Sequence, residues 1–599
     1  MSVDDPHTAL QEHFGFSAFR PGQEEAVRAV LADRDVLVVM PTGAGKSLCY
    51  QLPALMREDV TLVVSPLVSL MEDQVQALAR RAPGRVALIN AQQDASANAA
   101  ALAAAVRGDL RLLYVAPERF STPGFARALK AARIGLFVVD EAHCVSQWGH
   151  DFRPDYFRLA DAARWLGARA IVASTATATP QVAADVVARL GLREPVRVAT
   201  GFDRPNLSFV VVASGDRTKE QQLVRALREP GALPAIVYAG TRRVVDALAQ
   251  ALGAALDQPV LAYHAGLGRA ERAEAQRRFM GGEVDVVVAT NAFGMGVDKP
   301  DVRTVVHATV PPSIEAYYQE AGRAGRDGAP ARALLLAAPK DKALHVWFIQ
   351  RAEVTEEHVA GVALRLQAAA GGPPAPGQPP PVYDLPVAAL GDAADADRVR
   401  AVLGALARVG VVQPAPSAID RVSGRLLTAF DGRARAACRT IAGDAQRARW
   451  RQYRAIWSFV EGGRCRRATV LEHFGDASPG APAAGCCDVC DPALARAAGV
   501  ADAGAGQALD LPGAIMALVA AAEPPLAPMR VAEVLCGSRS AALRRDCHDG
   551  LPGYATFPAL GAEPVLDAVA ALVAAGRLMA TAGAEPLLRL VAEPRGLAA

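Results

Sequence analysis

Val36-Leu37-Val38-Val39-Met40-Pro41-Thr42-Gly43-Ala44-Gly45-Lys46-Ser47 decides the fold of this chain. The unbroken apolar run Val36–Met40 reads as a strand buried on both faces, and such strands belong to parallel α/β sheets. It breaks into a loop with two glycines, which let the backbone curl until its N–H groups face one spot. A helix opens directly after, and its N-terminus adds partial positive charge. Strand, loop and helix of this composition are built to cradle phosphates. Thr42, Gly43 and Gly45 shape the cradle, Lys46 reaches the terminal phosphates and Ser47 binds magnesium. Met40 stands where the strict pattern has glycine.

A second strand, Val138-Val139, ends in paired carboxylates followed by Ala142-His143. Asp140 is placed to hold the magnesium, and Glu141 to orient or deprotonate water. The chain runs on into a loop carrying Trp148, His150, Phe152 and Arg153, residue types that stack on unpaired bases. A packed turn with Trp148 and Phe152 in the core is the other reading, and Gly149 and Pro154 favour an exposed, shaped loop. Further on, Arg323 and Arg326 sit three apart after a predicted helix that contains Gln319. Arginine stabilises the charge of a transferring phosphoryl group. This pair belongs to a second α/β domain, so domain closure would complete the site.

Short β-branched runs alternate with helical stretches in two series joined near residue 200. The first series is Val36–Met40, Thr61–Ser65, Arg111–Ala116, Gly135–Asp140 and Ala170–Ser174. The second is Ala235–Ala239, Val260–Tyr263, Val284–Thr290, Arg303–Ala308 and Ala331–Ala337. Gly371–Pro381 is a proline-stiffened linker. Leu385–Gly410 reads as two short helices and Val411–Phe430 as a small wing. The 599 residues, 51% hydrophobic and 21% charged, fit a packed globular chain of several domains. A net charge of +2 requires any nucleic-acid surface to be a local patch. No membrane span is expected, and the polar, acidic start carries no secretory signal.

Of nine cysteines, Cys465, Cys486, Cys487 and Cys490 gather near the end. Four thiolates can close a tetrahedral structural zinc site. Adjacent cysteine ligands are sterically unusual, so His473 is a reserve ligand, and a site without metal stays open. The preceding helix carries Arg433, Arg435, Arg439, Arg447, Arg449, Arg451, Arg454, Arg464, Arg466 and Arg467. It reads as a phosphate-binding patch or a solvated helix face.

The motifs lie in unbroken order over residues 10–340 and resemble those of RecQ-type DNA helicases of helicase superfamily 2. Phe14-Gly15-Phe16 and Phe19-Arg20-Pro21-Gly22-Gln23-Glu24 match the family's adenine-recognition segment. Ser65–Met71, Ser174–Thr179, Phe202-Asp203-Arg204-Pro205-Asn206-Leu207, Tyr263–Leu267 and Ala289–Pro300 match further motor motifs. The resemblance implies that Gln23 reads the adenine edge with Arg20 in support, and that Phe16 stacks on the base. It places Gln319 among the cofactor-binding residues, makes Arg326 the arginine finger with Arg323 beside it, and makes the aromatic loop the sensor of single-stranded DNA. It also assigns the four cysteines to the family's zinc module, although Ala484 stands where wider spacing would put a cysteine.

The implied fold is α/β: two RecA-like parallel-sheet motor domains, then a helical zinc-binding module and a C-terminal winged-helix domain. The expected boundaries are 1–200 and 201–342 for the motor domains, 343–430 for the linker with an inserted helix–turn–helix or winged-helix-like segment, 431–497 for the zinc module and 508–594 for the winged helix. The family's small helical C-terminal domain is expected to be missing. The implied function is an ATP-, magnesium- and zinc-dependent 3′→5′ DNA helicase of recombination and repair, acting on single-stranded and forked duplex DNA. A monomer is expected in the cytoplasm of a bacterium, at the nucleoid, with a single-strand-binding protein or recombination factors as partners. An RNA-directed helicase and a DNA-binding scaffold with a decayed motor are the alternatives. The aromatic loop and zinc module weigh against the first, and intact Lys46, Asp140, Glu141 and Arg326 against the second.

Overall fold

The computed structural model describes residues 5–591 except 67, 91, 122–123, 147–155, 157–158, 216–217, 295–298, 374, 376, 392–395, 416–419, 481, 483–484, 498–510, 539, 541–542, 544, 547, 549–550, 552, 555, 558–561 and 582–585. The chain forms two units, Met1–Val500 and Ala501–Ala599.

The first unit opens with a seven-stranded parallel sheet in the order β3-β4-β2-β5-β6-β1-β7. Its strands are β1 Val36–Val39, β2 Val60–Val64, β3 Val86–Ile89, β4 Leu112–Val115, β5 Ile134–Val139, β6 Ala170–Thr175 and β7 Val196–Ala199. The central strands β1, β2, β4, β5 and β6 are buried along their whole length, as continuous apolar runs require. A six-stranded parallel sheet follows in the order β10-β11-β9-β12-β13-β8. Its strands are β8 Leu207–Ala213, β9 Ala235–Tyr238, β10 Val260–Tyr263, β11 Val286–Ala289, β12 Thr304–His307 and β13 Ala331–Ala337.

All ten strands expected from sequence are present. The three absent from that reading, β3, β7 and β8, are all sheet-edge strands. Partial exposure weakens the hydrophobic signal of β3 and β7, whose residues are mostly half-buried or exposed. The third, β8, begins within the segment that joins the two motor lobes.

The region before the zinc module departs from the sequence reading. Leu385–Gly410 holds one long helix, Ala396–Arg408, not two short ones. Its first two residues are the end of strand β14 Val382–Pro386, and a 3-10 turn, Val387–Ala389, follows. Alternating burial along β14, with Tyr383 and Leu385 inside, overrides the helical reading. β15 Val412–Ala415 and β16 Arg421–Leu426 complete an antiparallel sheet in the order β14-β16-β15. With the helices Glu356–Ala369 and Ala396–Arg408, it encloses a separate small core around Val362, Leu366, Val402 and Leu406.

The helix Gly432–Glu461 runs for 30 residues, its start capped by Asp431, whose carboxylate accepts from Ala434 N at 2.8 Å. Its first half contributes Cys438 to that small core. Its second half contributes Ile456, Trp457, Phe459 and Val460 to the core of the motor lobes.

In the second unit, helices Leu511–Ala521, Pro528–Leu535 and Ala562–Ala574 pack with the hairpin β17 Leu578–Ala580 and β18 Leu588–Leu590. Ile515, Leu518, Val531, Leu535, Val565 and Leu578 form its core. Among the described residues no helix is long and apolar enough to cross a membrane.

Candidate active site and zinc centre

The loop after β1 turns through Gly43 and Gly45, with φ of 87° and 84°, a region that side chains with a Cβ rarely adopt. The helix Leu48–Met56 starts immediately after Ser47. Gln23 fastens this loop: its side-chain amide donates to the carbonyls of Ala44 and Gly45, each at 3.1 Å, and its oxygen accepts from Arg20 N at 2.8 Å. Arg20 Nη1 donates to Gly43 O at 2.6 Å. The pair expected at the adenine therefore also holds the back of the phosphate loop. A Cβ on Gly45 would lie 2.5 Å from Gln23 Nε2, so a larger residue there would push aside the amide that fastens the loop. Phe16 is 49% exposed with its ring 6.4 Å from that of Phe14, leaving a face open for a base. Gln23→Ala strips both loop carbonyls of their donor. The expected result is a KM for ATP raised about tenfold; an unchanged KM would show that the loop holds its shape alone.

At the end of β5, Asp140 and Glu141 are both buried, and Glu141 takes a left-handed φ of 47°. That conformation is costly for a side chain bearing a Cβ and concentrates at functional sites. Burial, then the charge of Glu141, pushes the Asp140 carboxyl up from its ordinary value. A divalent cation on the same carboxylate has the opposite effect. His143 Nδ1 lies 3.3 Å from Glu141 Oε2 and 3.0 Å from Thr175 Oγ1, tying the carboxylate pair to the Ser174–Thr179 segment at the end of β6. Trp148, His150, Phe152 and Arg153 lie outside the described residues.

The second lobe reaches this loop. A Cβ on Gly43 would sit 3.5 Å from Arg326 Cγ. Arg323 is instead buried within its own lobe beside Gly294 and the Tyr238 phenol. The two arginines are thus divided between an outward position and an inner anchor. Gln319 is half-buried on the helix Ile314–Ala321 that precedes them.

The joining segment positions the arginine turn. Arg204 donates to the carbonyls of Gly322, Ala324 and Gly325 at 2.8–3.1 Å, and Asn206 donates to those of Gly325 and Ala329 at 2.7 and 2.8 Å. That segment is gripped in turn by the region around the cysteines. Arg467, 2% exposed, donates to Asp203, to Arg204 O at 2.9 Å and to Leu207 O at 2.5 Å. Phe202 N donates to Asp476 Oδ2 at 2.6 Å, and the Phe202 ring stacks on Phe474 at 4.3 Å.

Cys465, Cys486, Cys487 and Cys490 have their sulfurs within 4.8 Å of one another. Cys465 lies 3.5 Å from Cys486 and 3.8 Å from Cys487. Four sulfurs at ~2.3 Å from a tetrahedral zinc lie about 3.8 Å apart, so the set fits the ion. The adjacent cysteines are accommodated because their backbone pairs with β8: Phe209 N donates to Cys486 O at 3.2 Å and Asp488 N to Phe209 O at 3.1 Å. The reserve ligand is not needed, since His473 is held at 2.9 Å by Glu315.

The basic patch is smaller than its sequence. Arg466 pairs with Asp488 at 3.1 Å inside the module, and Arg467 is the buried latch described above. Arg449 is half-buried and donates to Ala352 O at 3.0 Å. Arg447 and Arg464 pair with Asp444 and Glu472 at 2.6 Å each, and Arg439 lies 3.6 Å from Glu356. Arg447 and Arg464 have local partners, whereas those of Arg439, Arg449 and Arg467 lie on distant segments, with no periodicity in the sequence to mark them.

Comparison with known proteins agrees with this geometry. The DEAD/DEAH box helicase family matches residues 20–186, the helicase conserved C-terminal domain residues 218–328 and the RecQ zinc-binding family residues 433–491. The probable ATP-dependent DNA helicase RecS of Bacillus subtilis is 42% identical over 358 residues, covering 60% of this chain and 72% of that protein. The chain belongs to the RecQ helicase family. RecQ helicases of Bacillus subtilis and Pasteurella multocida are each 43% identical, over 58% and 60% of this chain. The chain spans only 58% and 56% of their respective lengths. Both of these RecQ proteins are ATP-dependent DNA helicases; ATP and magnesium belong to helicase domains of this kind, and the zinc-binding match spans the four clustered cysteines, a set that could hold the ion. Residues 356–430, with their separate core, fall outside all three family matches.

Proposed function

We propose that this chain hydrolyses ATP to move 3′→5′ along one DNA strand and separate the duplex ahead of it, in recombination and repair. The observation that carries the reading is Arg326 of the second lobe lying against Gly43 of the phosphate loop. A site shared between two lobes makes hydrolysis depend on their closure, which is what a motor needs.

In this reading Phe16 stacks on the base while Gln23 and Arg20 couple its presence to the loop. Lys46 and the loop N–H groups hold the phosphates, and Ser47 with Asp140 hold magnesium. When bound, that ion neutralises charge on the β- and γ-phosphate oxygens. Glu141 orients the water and takes its proton, while Arg326 stabilises charge on the phosphoryl group and Arg323 braces the turn. Trp148, His150, Phe152 and Arg153 contact single-stranded DNA. The C-terminal unit, with three helices and a hairpin among its described residues, serves as a winged helix that grips the duplex. Forked DNA is the substrate, with single-strand-binding or recombination proteins as partners of a monomer at the nucleoid.

The test is ATP hydrolysis with and without single-stranded DNA, run beside unwinding of duplexes with a 3′ or a 5′ overhang. Stimulated hydrolysis with unwinding from the 3′ overhang alone is expected. Unwinding from the 5′ overhang alone would reverse the assigned polarity, and absence of any stimulation would remove the motor.

A further inference from the structure

One exposed helix face of the second lobe takes no part in the site described so far. In the helix Pro339–Arg351, Asp341, His345 and Ile349 point inward. The opposite face presents Lys340, Ala343, Trp347, Phe348, Gln350 and Arg351. Trp347 and Phe348 are 48% and 47% exposed, with ring centroids 5.0 Å apart in an edge-on arrangement, and the Arg351 guanidinium lies 5.0 Å over the Trp347 ring. Aromatic residues are only 5% of this chain, so an outward-facing pair beside a cation is a marked local departure.

The face begins where the sheet presents its ligand edge. A Cβ on Gly240, just past the carboxyl end of β9, would meet Leu344 Cδ2 at 3.0 Å, and Gly240 N donates to Thr309 Oγ1 at 3.0 Å beyond β12. Parallel sheets bind ligands at that edge. The next residues, Thr241, Arg242 and Arg243, open the 15-residue helix Arg242–Leu256 with both arginines exposed. From Leu344, Trp347 stands one turn further along the same helix face.

The exposed charge on the helix Pro339–Arg351 itself is cationic, carried by Lys340 and Arg351. No exposed carboxylate lies on the helix, because Asp341 is buried against Lys219 at 3.1 Å. Glu461 is engaged with Lys342 at 2.5 Å, and Asp246 with His264 at 2.9 Å. Cations at a helix N-terminus followed by flat aromatic faces suit a polyanion with unpaired bases, with phosphates at the first and stacking on the second. A closed duplex, whose bases are already stacked on one another, would leave the aromatic faces unused.

We propose that Trp347 and Phe348 form a stacking platform for single-stranded nucleic acid, extending its track beyond the carboxyl edge of the second-lobe sheet. This rests on the nucleic-acid motor reading above.

The experiment measures binding of fluorescein-labelled oligothymidylate, and of a blunt duplex, to the full chain. It compares wild type, the double variant Trp347→Ala/Phe348→Ala and Trp347→Phe. Unstimulated ATP hydrolysis and Tm serve as folding controls. The double variant is expected to bind the oligonucleotide between about five- and a hundredfold more weakly, with duplex affinity within about twofold of wild type. Trp347→Phe, which keeps a ring, is expected to bind close to wild type. Oligonucleotide affinity unchanged in the double variant, or an equal loss on both DNAs, would overturn the platform. Failure of the wild type itself to bind oligothymidylate would instead overturn the motor reading beneath it.

Discussion

Lys46→Ala is expected to lower ATP hydrolysis by at least about a hundred- to a thousandfold, the scale of losing one preorganised group that stabilises transition-state charge. Unwinding falls with it, while affinity for single-stranded DNA stays within about twofold. The argument is geometric. Gly43 and Gly45, both left-handed, fix the loop, and Gln23 and Arg20 hold its carbonyls from behind. The variant therefore keeps a preformed cradle and loses only its mobile cation. Arg323 is buried beside Gly294 and does not substitute, and Arg326, which reaches Gly43 from the opposite lobe, already has its own place at the loop. Hydrolysis by purified Lys46→Ala within tenfold of wild type would remove the phosphate-loop assignment.

The second large effect concerns zinc. Stripping the ion with a chelator, or Cys487→Ser, is expected to release more than the four ligands. Structural zinc contributes on the order of 10–16 kcal/mol to folding of small modules. Here the Cys486–Asp488 strand pairs with β8, and Arg466, next to Cys465, is tied to Asp488. Arg467 on the following position grips Asp203, Arg204 O and Leu207 O, and Arg204 holds the turn bearing Arg323 and Arg326. Losing the ion thus loosens, step by step, the support of the arginine beside the phosphate loop. The expected result is about one zinc per chain before treatment. Afterwards a new low-temperature unfolding transition should appear, and kcat for ATP should fall even though every motor residue is intact. Calorimetry with metal analysis and steady-state kinetics checks both. Metal-free protein with unchanged Tm and kcat would sever the module from the motor.

How much of this was written legibly in the chain depends on distance along it. The phosphate loop, the carboxylate pair and the arginine turn each lie within a dozen residues and follow from local chemistry. So do the buried central strands, whose apolar runs are continuous. The four cysteines were legible as a set because thiolates seldom cluster without cause. Arg466 and Arg467 were misread as phosphate ligands, since a run of arginines has the same sequence whether its partners are phosphates or a carboxylate held some 260 residues away, as Arg467 meets Asp203. Gln23 was assigned to the base alone; its hold on Ala44 and Gly45 exists only once the first helices fold against the loop. The end of β14, Leu385 and Pro386, was read into a helix and Val382–Asp384 were left unassigned, because an alternation of only five residues is too short to outweigh the helical run after it.

The helix Gly432–Glu461 has its root in one core and its far half in another. Trp457 near the root donates to His345 Nδ1 at 3.2 Å, and His345 Nε2 donates to Val310 O at 2.7 Å, fixing the root to the second lobe. At a rise of 1.5 Å per residue the helix is about 45 Å long. It therefore joins the two cores as a single rod, and on that length a tilt of about 10° at its root would displace the far end by about 8 Å.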